Sequence, residues 1–218
     1  MADRPKPMAE IEGEPFLNIL IDYAAGFGFR RFILGIGHKK DFIKNYYREN
    51  KTNLDILFSE EDEPLGTAGA VKNAESIIKS EPFIVMNGDS FCKIDFNRFI
   101  DFYFEREASV CIAASSMEGG GEFGEMVLDH EERIVSFNEK EEPKRLPRHL
   151  INTGIYIMDR AIFGDIPEEK NISMEKEIFP NILQRGVYGF CISKEFIDIG
   201  TPERLKKARD IKNTKGNL

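Results

Sequence analysis

The sequence predicts an α/β domain: a Rossmann-like mixed, mainly parallel sheet with helices on both faces. Three observations predict it. Apolar strand-like segments alternate with segments of helical periodicity through the first half of the chain. The strand-like segments are continuous apolar runs, as in "RFILGIG" (31–37) and "PFIVMNGD" (82–89), the pattern of strands covered on both faces. At 218 residues the chain is long enough to bury a sizeable core.

The elements follow in order. "RPKP" holds Lys6 between two prolines, which fix φ and push the preceding residue toward extended backbone, so Lys6 is expected on a stiff extended arm. "EPFLNILIDYAAGFGF" puts Phe16, Leu17, Leu20, Ile21 and Ala24 on one helical face that ends near Gly26–Gly28. Strands are expected over 31–37, 54–59 and 82–89, with helices over 40–50 and 68–79. A further helix, "FNRFIDFYFEREA", precedes the strand "SVCIAA"; its phenylalanines read as core-facing rather than as a ligand platform. The second half changes character. "EFGEMVLDHEERIVSFNEK" reads as a hairpin joined at Asp129–Arg133, and 140–149 as a charged, proline-bearing loop. "LINTGIYIMD" is a strand, and Ser173 caps a short helix that Pro180 should kink or end. "GVYGFCIS" and "EFIDIG" are strands, and Thr201 with Pro202 opens a last helix. No clean boundary divides the chain, so one domain is expected over 1–218, with halves at 1–115 and 116–200 and a C-terminal helix at 201–218.

Composition narrows the function. The net charge of −8 makes the chain a poor generic binder of nucleic acid or anionic membrane. Positive charge for a phosphorylated ligand must then be local or come from a metal ion. No apolar run is long enough to span a bilayer, and three widely spaced cysteines without C-x-x-C spacing read as reduced thiols of a cytoplasmic protein. His38, His130 and His149 lack any nucleophile motif that would make a triad.

Several residues could carry chemistry. Asp89 ends an apolar strand in the turn Asn87–Gly88–Asp89, where a carboxylate can hold Mg²⁺ or close an ordinary Asx-turn. Asp198 lies between Ile197 and Ile199, and an aspartate there needs a metal or a hydrogen-bond partner. In "EPLGTAGAV", Gly66 and Gly69 allow a flat ligand to approach the backbone, while Thr67 could equally cap the next helix. Glu139 and Lys140 offer an acceptor for sugar hydroxyls and a point charge for phosphate, or simply continue a solvated charge run. Asn152 and Gly154 break a buried strand, as a ligand contact or a β-bulge would.

Taken in their order, "RPKPMAEIEGEPFL", "EPLGTAGAV", "VMNGDSF", "FGEMVLDHEERIVSFNEK", "INTGIY" and "FIDIGTPE" resemble the sugar-1-phosphate nucleotidyltransferase family, over nearly the whole chain. The branch most resembled is that of the D-glycero-D-manno-heptose 1-phosphate guanylyltransferases, followed by the mannose-1-phosphate guanylyltransferase-like branch. The resemblance implies the nucleotide-diphospho-sugar transferase type of fold. It also implies transfer of NMP, with guanine the favoured base, from a nucleoside triphosphate to a heptose or hexose 1-phosphate. Lys6 matches a phosphate-contacting lysine, and Asp89 and Asp198 match the aspartates that hold Mg²⁺. Gly66, Thr67 and Gly69, with Asn87 and Gly88, fall on the nucleotide side. Gly124, Glu139, Lys140, Asn152 and Gly154 fall on the sugar-phosphate side, with Phe123–Gly124 where the family has Tyr-Gly. The implied partners are the two substrates, without nucleic acid or membrane, and assembly into a homo-oligomer is left open.

The resemblance carries one more expectation. Family members have an apolar strand and a glycine-rich loop ahead of the lysine, and neither precedes Lys6 here. A chain lacking them would leave sheet neighbours with orphaned backbone groups, each costing roughly 1–3 kcal/mol when buried. It would also lack donors to the reacting phosphates. The chain as written is therefore expected to be N-terminally truncated and impaired. The competing reading is a non-catalytic nucleotide- or sugar-phosphate-binding, or regulatory, module on the same fold.

Overall fold

Apolar spacing sets where the helices and strands fall. The computed structural model describes residues 4–116, 125–138, 149–168, 170–192 and 196–199; of residues 125, 138, 149, 197 and 198 it describes the backbone. The strands and helices in chain order begin with β1 (Glu10–Ile11), β2 (Glu14–Pro15), α1 (Phe16–Gly26), β3 (Arg31–Ile36), α2 (Lys40–Glu49) and β4 (Asp55–Glu60). They continue with α3 (Gly66–Asn73), β5 (Phe83–Met86), β6 (Ser90–Cys92), α4 (Phe96–Glu105), β7 (Val110–Ser115), β8 (Glu125–Leu128) and β9 (Ile134–Asn138). The last are β10 (His149–Met158), α5 (Phe179–Ile182), β11 (Val187–Ile192) and β12 (Phe196–Asp198). The α/β class and the mixed sheet are as expected. Among the described residues no helix is long and apolar enough to cross a membrane.

The chain divides into two compact units. The first gathers the described residues within 1–62, 87–92 and 196–218. Its core is Met8, Leu17, Ile21, Ile36 and Ile43, with Phe32, Leu34, Tyr46, Tyr47 and Phe58 packed against it. Strands β3 and β4 pair in parallel from Arg31↔Asp55 to Ile36↔Glu60, and β6 and β12 pair antiparallel. Lys6 departs from expectation here. Lys6–Met8 form a 3₁₀ turn, with the Met8 and Ala9 N–H groups donating to Pro5 O and Lys6 O, both at 2.9 Å. Met8 is 1% exposed. Burying that side chain, worth about 1.5–3 kcal/mol, outweighs the preference of a pre-proline residue for extended backbone.

The second unit comprises 63–86 and the described residues of 93–195. A six-stranded sheet runs β11-β7-β10-β8-β9, with β5 also pairing β10. β11 lies parallel to β7, whereas β10 is antiparallel to β5, β7 and β8. Strands β5, β7, β8 and β11 therefore share one direction, and β10 and β9 oppose them. The hairpin falls where its sequence places it. The Asp129 carboxylate accepts from the N–H groups of Glu131 and Arg133, both at 2.9 Å, and closes the turn between β8 and β9. α4 is capped by Asp95, which accepts from Asn97 and Arg98, and it buries Phe96, Phe99 and Tyr103. Phe99 and Phe102 pack against Phe190 in tilted ring pairs, with centroids 5.2 and 5.3 Å apart. Phe96 and Phe99 are core residues, as their spacing predicts, whereas Phe102 is half-buried and Phe104, against the core-facing expectation, is 58% exposed.

Two helices differ from expectation. α3 starts two residues early and ends at Asn73, after which Glu75 and Ile77 close single i→i−3 turns. Ser173 caps as predicted, accepting from Lys176 N–H at 3.2 Å, but the turn it opens is a π-helix over Met174–Ile178. α5 follows directly with Pro180 in its first turn. The helix thus changes type at the proline, whose missing N–H and ring would disrupt a continuous α-helical ladder. Gly124, Glu139, Lys140, the loop 140–148 and the helix expected from Thr201 lie outside the described residues.

Candidate functional site

In the first unit, the Asn87–Asp89 turn leads into β6. β12 pairs antiparallel with β6 in the register Phe196↔Cys92, Ile197↔Phe91 and Asp198↔Ser90. The next residue, Ile199, donates its N–H to Asp89 O at 2.9 Å. The pairing therefore sets the backbones of Asp89 and Asp198 side by side, although the two residues are far apart in the chain. Asp89 is half-buried, and no described residue bonds to its carboxylate. Two ligand oxygens are left for a cation, and a hard ion such as Mg²⁺ takes one or two carboxylates and completes its shell with waters and phosphate oxygens. Such a site needs no larger cluster. Among the described residues no group of three or more histidine, cysteine or acidic side chains forms one.

Lys6 belongs to the same unit. The 3₁₀ turn anchored by Met8 holds it, its side chain is exposed, and no described residue pairs with its ammonium. Gly88 packs on the adjacent proline: a Cβ there would lie 3.4 Å from Pro7 Cγ. The turn before Asp89 thus abuts the turn that carries Lys6.

In the second unit the "PLGTAGA" loop is pinned by the chain itself. Ile172 N–H donates to Leu65 O, and Ala68 N–H donates to Ile172 O, both at 2.9 Å. Gly66 has φ +71°, and a Cβ there would sit 2.5 Å from Ile172 O. A Cβ at Gly69 would sit 2.6 Å from Lys170 O. The close approach that these glycines permit is to the chain's own 170–172 backbone. Thr67 is not the helix N-cap; its hydroxyl donates to Glu175 Oε2 at 2.9 Å and accepts from Met174 N–H at 2.8 Å.

The same carboxylate reaches the strand that carries Asn152 and Gly154. Tyr156 OH donates to Glu175 Oε1 at 2.7 Å, and Asn152 Nδ2 donates to Tyr156 OH at 2.9 Å. Gly154 N–H donates to Asn152 Oδ1 at 2.8 Å across the bulge in the β10:β7 register. Burial pushes the Tyr156 hydroxyl well above the ordinary phenol range, and the Glu175 carboxylate raises it further. Glu175 and Tyr156 were not singled out from the sequence. The available signals were a carboxylate two residues after a serine cap and a tyrosine in a buried strand, whose hydroxyl needs a partner.

Residues 2–214 match the family described as Nucleotidyl transferase. This chain belongs to that family. Among characterised members, D-glycero-alpha-D-manno-heptose 1-phosphate guanylyltransferase of Campylobacter jejuni is 34% identical over 92% of this chain and 87% of its own length. The enzyme of the same name from Aneurinibacillus thermoaerophilus is 31% identical over 96% and 90%. HddC from Yersinia pseudotuberculosis, solved in complex with GMP-PN, superposes with a TM-score of 0.83 at 34% identity, covering 96% of this chain and 90% of that one. The inositol-1-phosphate CTP transferase from T. maritima, at 19% identity and a TM-score of 0.79, shares the nucleotidyl transferase fold.

Proposed function

We propose that this protein is a sugar-1-phosphate guanylyltransferase that moves GMP from GTP onto a heptose or hexose 1-phosphate in the cytoplasm. An oxygen of the sugar phosphate attacks the α-phosphorus in line. A new P–O bond forms, the bond from the α-phosphorus to the bridging oxygen breaks, and pyrophosphate leaves with the electron pair. The nucleophile is already anionic near neutral pH, so no strong general base is needed, and alignment with charge neutralisation carries the rate.

The observation that carries this reading is the β6:β12 pairing, which sets Asp198 next to Asp89 in the unit that also holds Lys6. Asp89 and Asp198 are assigned as the Mg²⁺ ligands, and Lys6 as the cation for the reacting phosphates. Mg²⁺ would supply Lewis-acid neutralisation of phosphate charge. Gly66, Thr67, Gly69, Asn87 and Gly88 are assigned to the nucleotide. Gly124, Glu139, Lys140, Asn152 and Gly154 are assigned to the sugar phosphate. The guanylyltransferase relatives and the GMP-PN complex of HddC favour guanine.

Pyrophosphate release tests the reading, with GTP, ATP, CTP or UTP offered alongside mannose 1-phosphate or a heptose 1-phosphate and Mg²⁺. Release only with both substrates, fastest with GTP, is expected. Binding of GTP in titration calorimetry without release would replace the reading with a non-catalytic nucleotide-binding module.

A further inference from the structure

We infer that Glu175 is a positioning residue whose carboxylate locks the Thr67 loop and the Asn152 strand into one directional hydrogen-bond relay. The inference rests on the proposed assignment of Thr67 to the nucleotide and Asn152 to the sugar phosphate.

The direction of the relay follows from what each group can do. Gly154 N–H can only donate, so Asn152 turns its Oδ1 to it at 2.8 Å and its Nδ2 to Tyr156 at 2.9 Å. Tyr156 OH accepts there, and its one hydrogen goes to Glu175 Oε1 at 2.7 Å. An ionised carboxylate only accepts, so the other oxygen draws in hydroxyls as well: Thr67 at 2.9 Å and Ser173 at 2.8 Å. Met174 N–H then holds Thr67 Oγ1, and Lys176 N–H holds Ser173 Oγ. A backbone donor fixes one end and a carboxylate fixes the centre, so no member can reverse without orphaning another. The Tyr156 proton stays on its oxygen because burial and the adjacent carboxylate both disfavour the phenolate.

The placement suits a positioning role. Thr67 is exposed and Asn152 half-buried, whereas Tyr156 between them is 1% exposed. The two ends can meet ligands while the middle cannot. Asn152 keeps one amide hydrogen that the relay does not use, and its orientation is set through Tyr156. A glutamine at 175 would bring a donor where only acceptors fit. Facing Thr67 and Ser173, it would turn both hydroxyls around. Facing Tyr156, it would strand that hydroxyl hydrogen in the core.

Titration calorimetry with GTP and with mannose 1-phosphate tests the relay on isosteric variants of the full chain. Thr67→Val is expected to weaken GTP more than mannose 1-phosphate, and Tyr156→Phe mannose 1-phosphate more than GTP. Glu175→Gln is expected to weaken both, each about fivefold or more. A purely structural role would lower the melting temperature and leave both affinities within twofold, and that result overturns the inference. A ligand-free readout separates this outcome from failure of the proposed function: the side-chain amide resonance of Asn152 should move in Thr67→Val, with which it shares no direct contact. If the wild-type protein binds neither ligand, the functional reading falls, and the amide shift alone decides whether the relay exists.

Discussion

Ile199 N–H donates to the carbonyl oxygen of Asp89 at 2.9 Å, one residue beyond the Asp198↔Ser90 pair of β12 and β6. That bond joins the end of a long return path to the turn after β5. It sets the backbone of Asp89, in the turn before β6, beside that of Asp198, in β12, without any local sequence signal that they belong together. Since no described residue bonds to the Asp89 carboxylate, its charge is available to a ligand. Asp89→Asn should therefore keep the fold, with a melting temperature within a few degrees of wild type, and lower kcat by about 10²–10³, the loss typical of removing one preorganised electrostatic contact. Circular dichroism melting beside a pyrophosphate-release assay reads both.

Lys6 sits on a turn whose position is set by Met8, not by its own side chain. Lys6→Met should leave stability within about 0.5 kcal/mol, as for an ordinary surface substitution. It should lower kcat/KM for GTP by at least tenfold. Lys6→Arg should recover part of the loss, since it restores the charge with a different donor geometry. Steady-state kinetics over GTP concentration checks the order of the three forms.

Gly66 is held by two constraints at once, a left-handed φ and the carbonyl of Ile172. Gly66→Ala forces both, because a Cβ 2.5 Å from a backbone oxygen cannot be relieved by moving a flexible side chain. A loss of about 1–3 kcal/mol is expected, the usual cost of a strained backbone position. Urea unfolding measures it. Gly164→Ala, where a Cβ meets nothing within 4 Å, serves as the control.

Burial pushes the Tyr103 hydroxyl up to about 12 from the ordinary value of 10.0, and Tyr47 and Tyr156 are raised for the same reason. The folded chain thus favours the protonated phenol. Below pH 10 both states keep the proton and this stabilisation is intact. As pH rises toward 12 the unfolded chain ionises first, so stability falls across that window. Urea midpoints measured from pH 10 to 12 should decline, and Tyr103→Phe should reduce the slope.

Much of this was legible in the sequence, for reasons that differ by element. The 3.6-residue spacing on α1 and α4, and Asp129 at the hairpin turn, encode their structure locally, and the structure follows them. Ser173 signals a helix start, but periodicity does not report that the turn it opens, with Met174 and Ile178 buried, is a π-helix. Lys6 lies in a 3₁₀ turn rather than on extended backbone because proline preferences are local and the docking of Met8 is not. Asp89 and Asp198 each stood out, yet their adjacency exists only through the β6:β12 register. Glu175 lies in the first turn after the Ser173 cap. Only the fold brings Thr67 and Tyr156 to it, each from a segment remote in the chain.

Under the proposed function, Asp89 and Asp198 act as one unit in guanylyl transfer. The most direct measurement is a double-mutant cycle on single-turnover pyrophosphate release, using Asp89→Asn, Asp198→Asn and the double variant at saturating GTP, mannose 1-phosphate and Mg²⁺. The double variant should be hardly slower than the slower single one, because either change would already disable a shared ion. Losses that simply multiply, or single variants that turn over as fast as wild type, would contradict it.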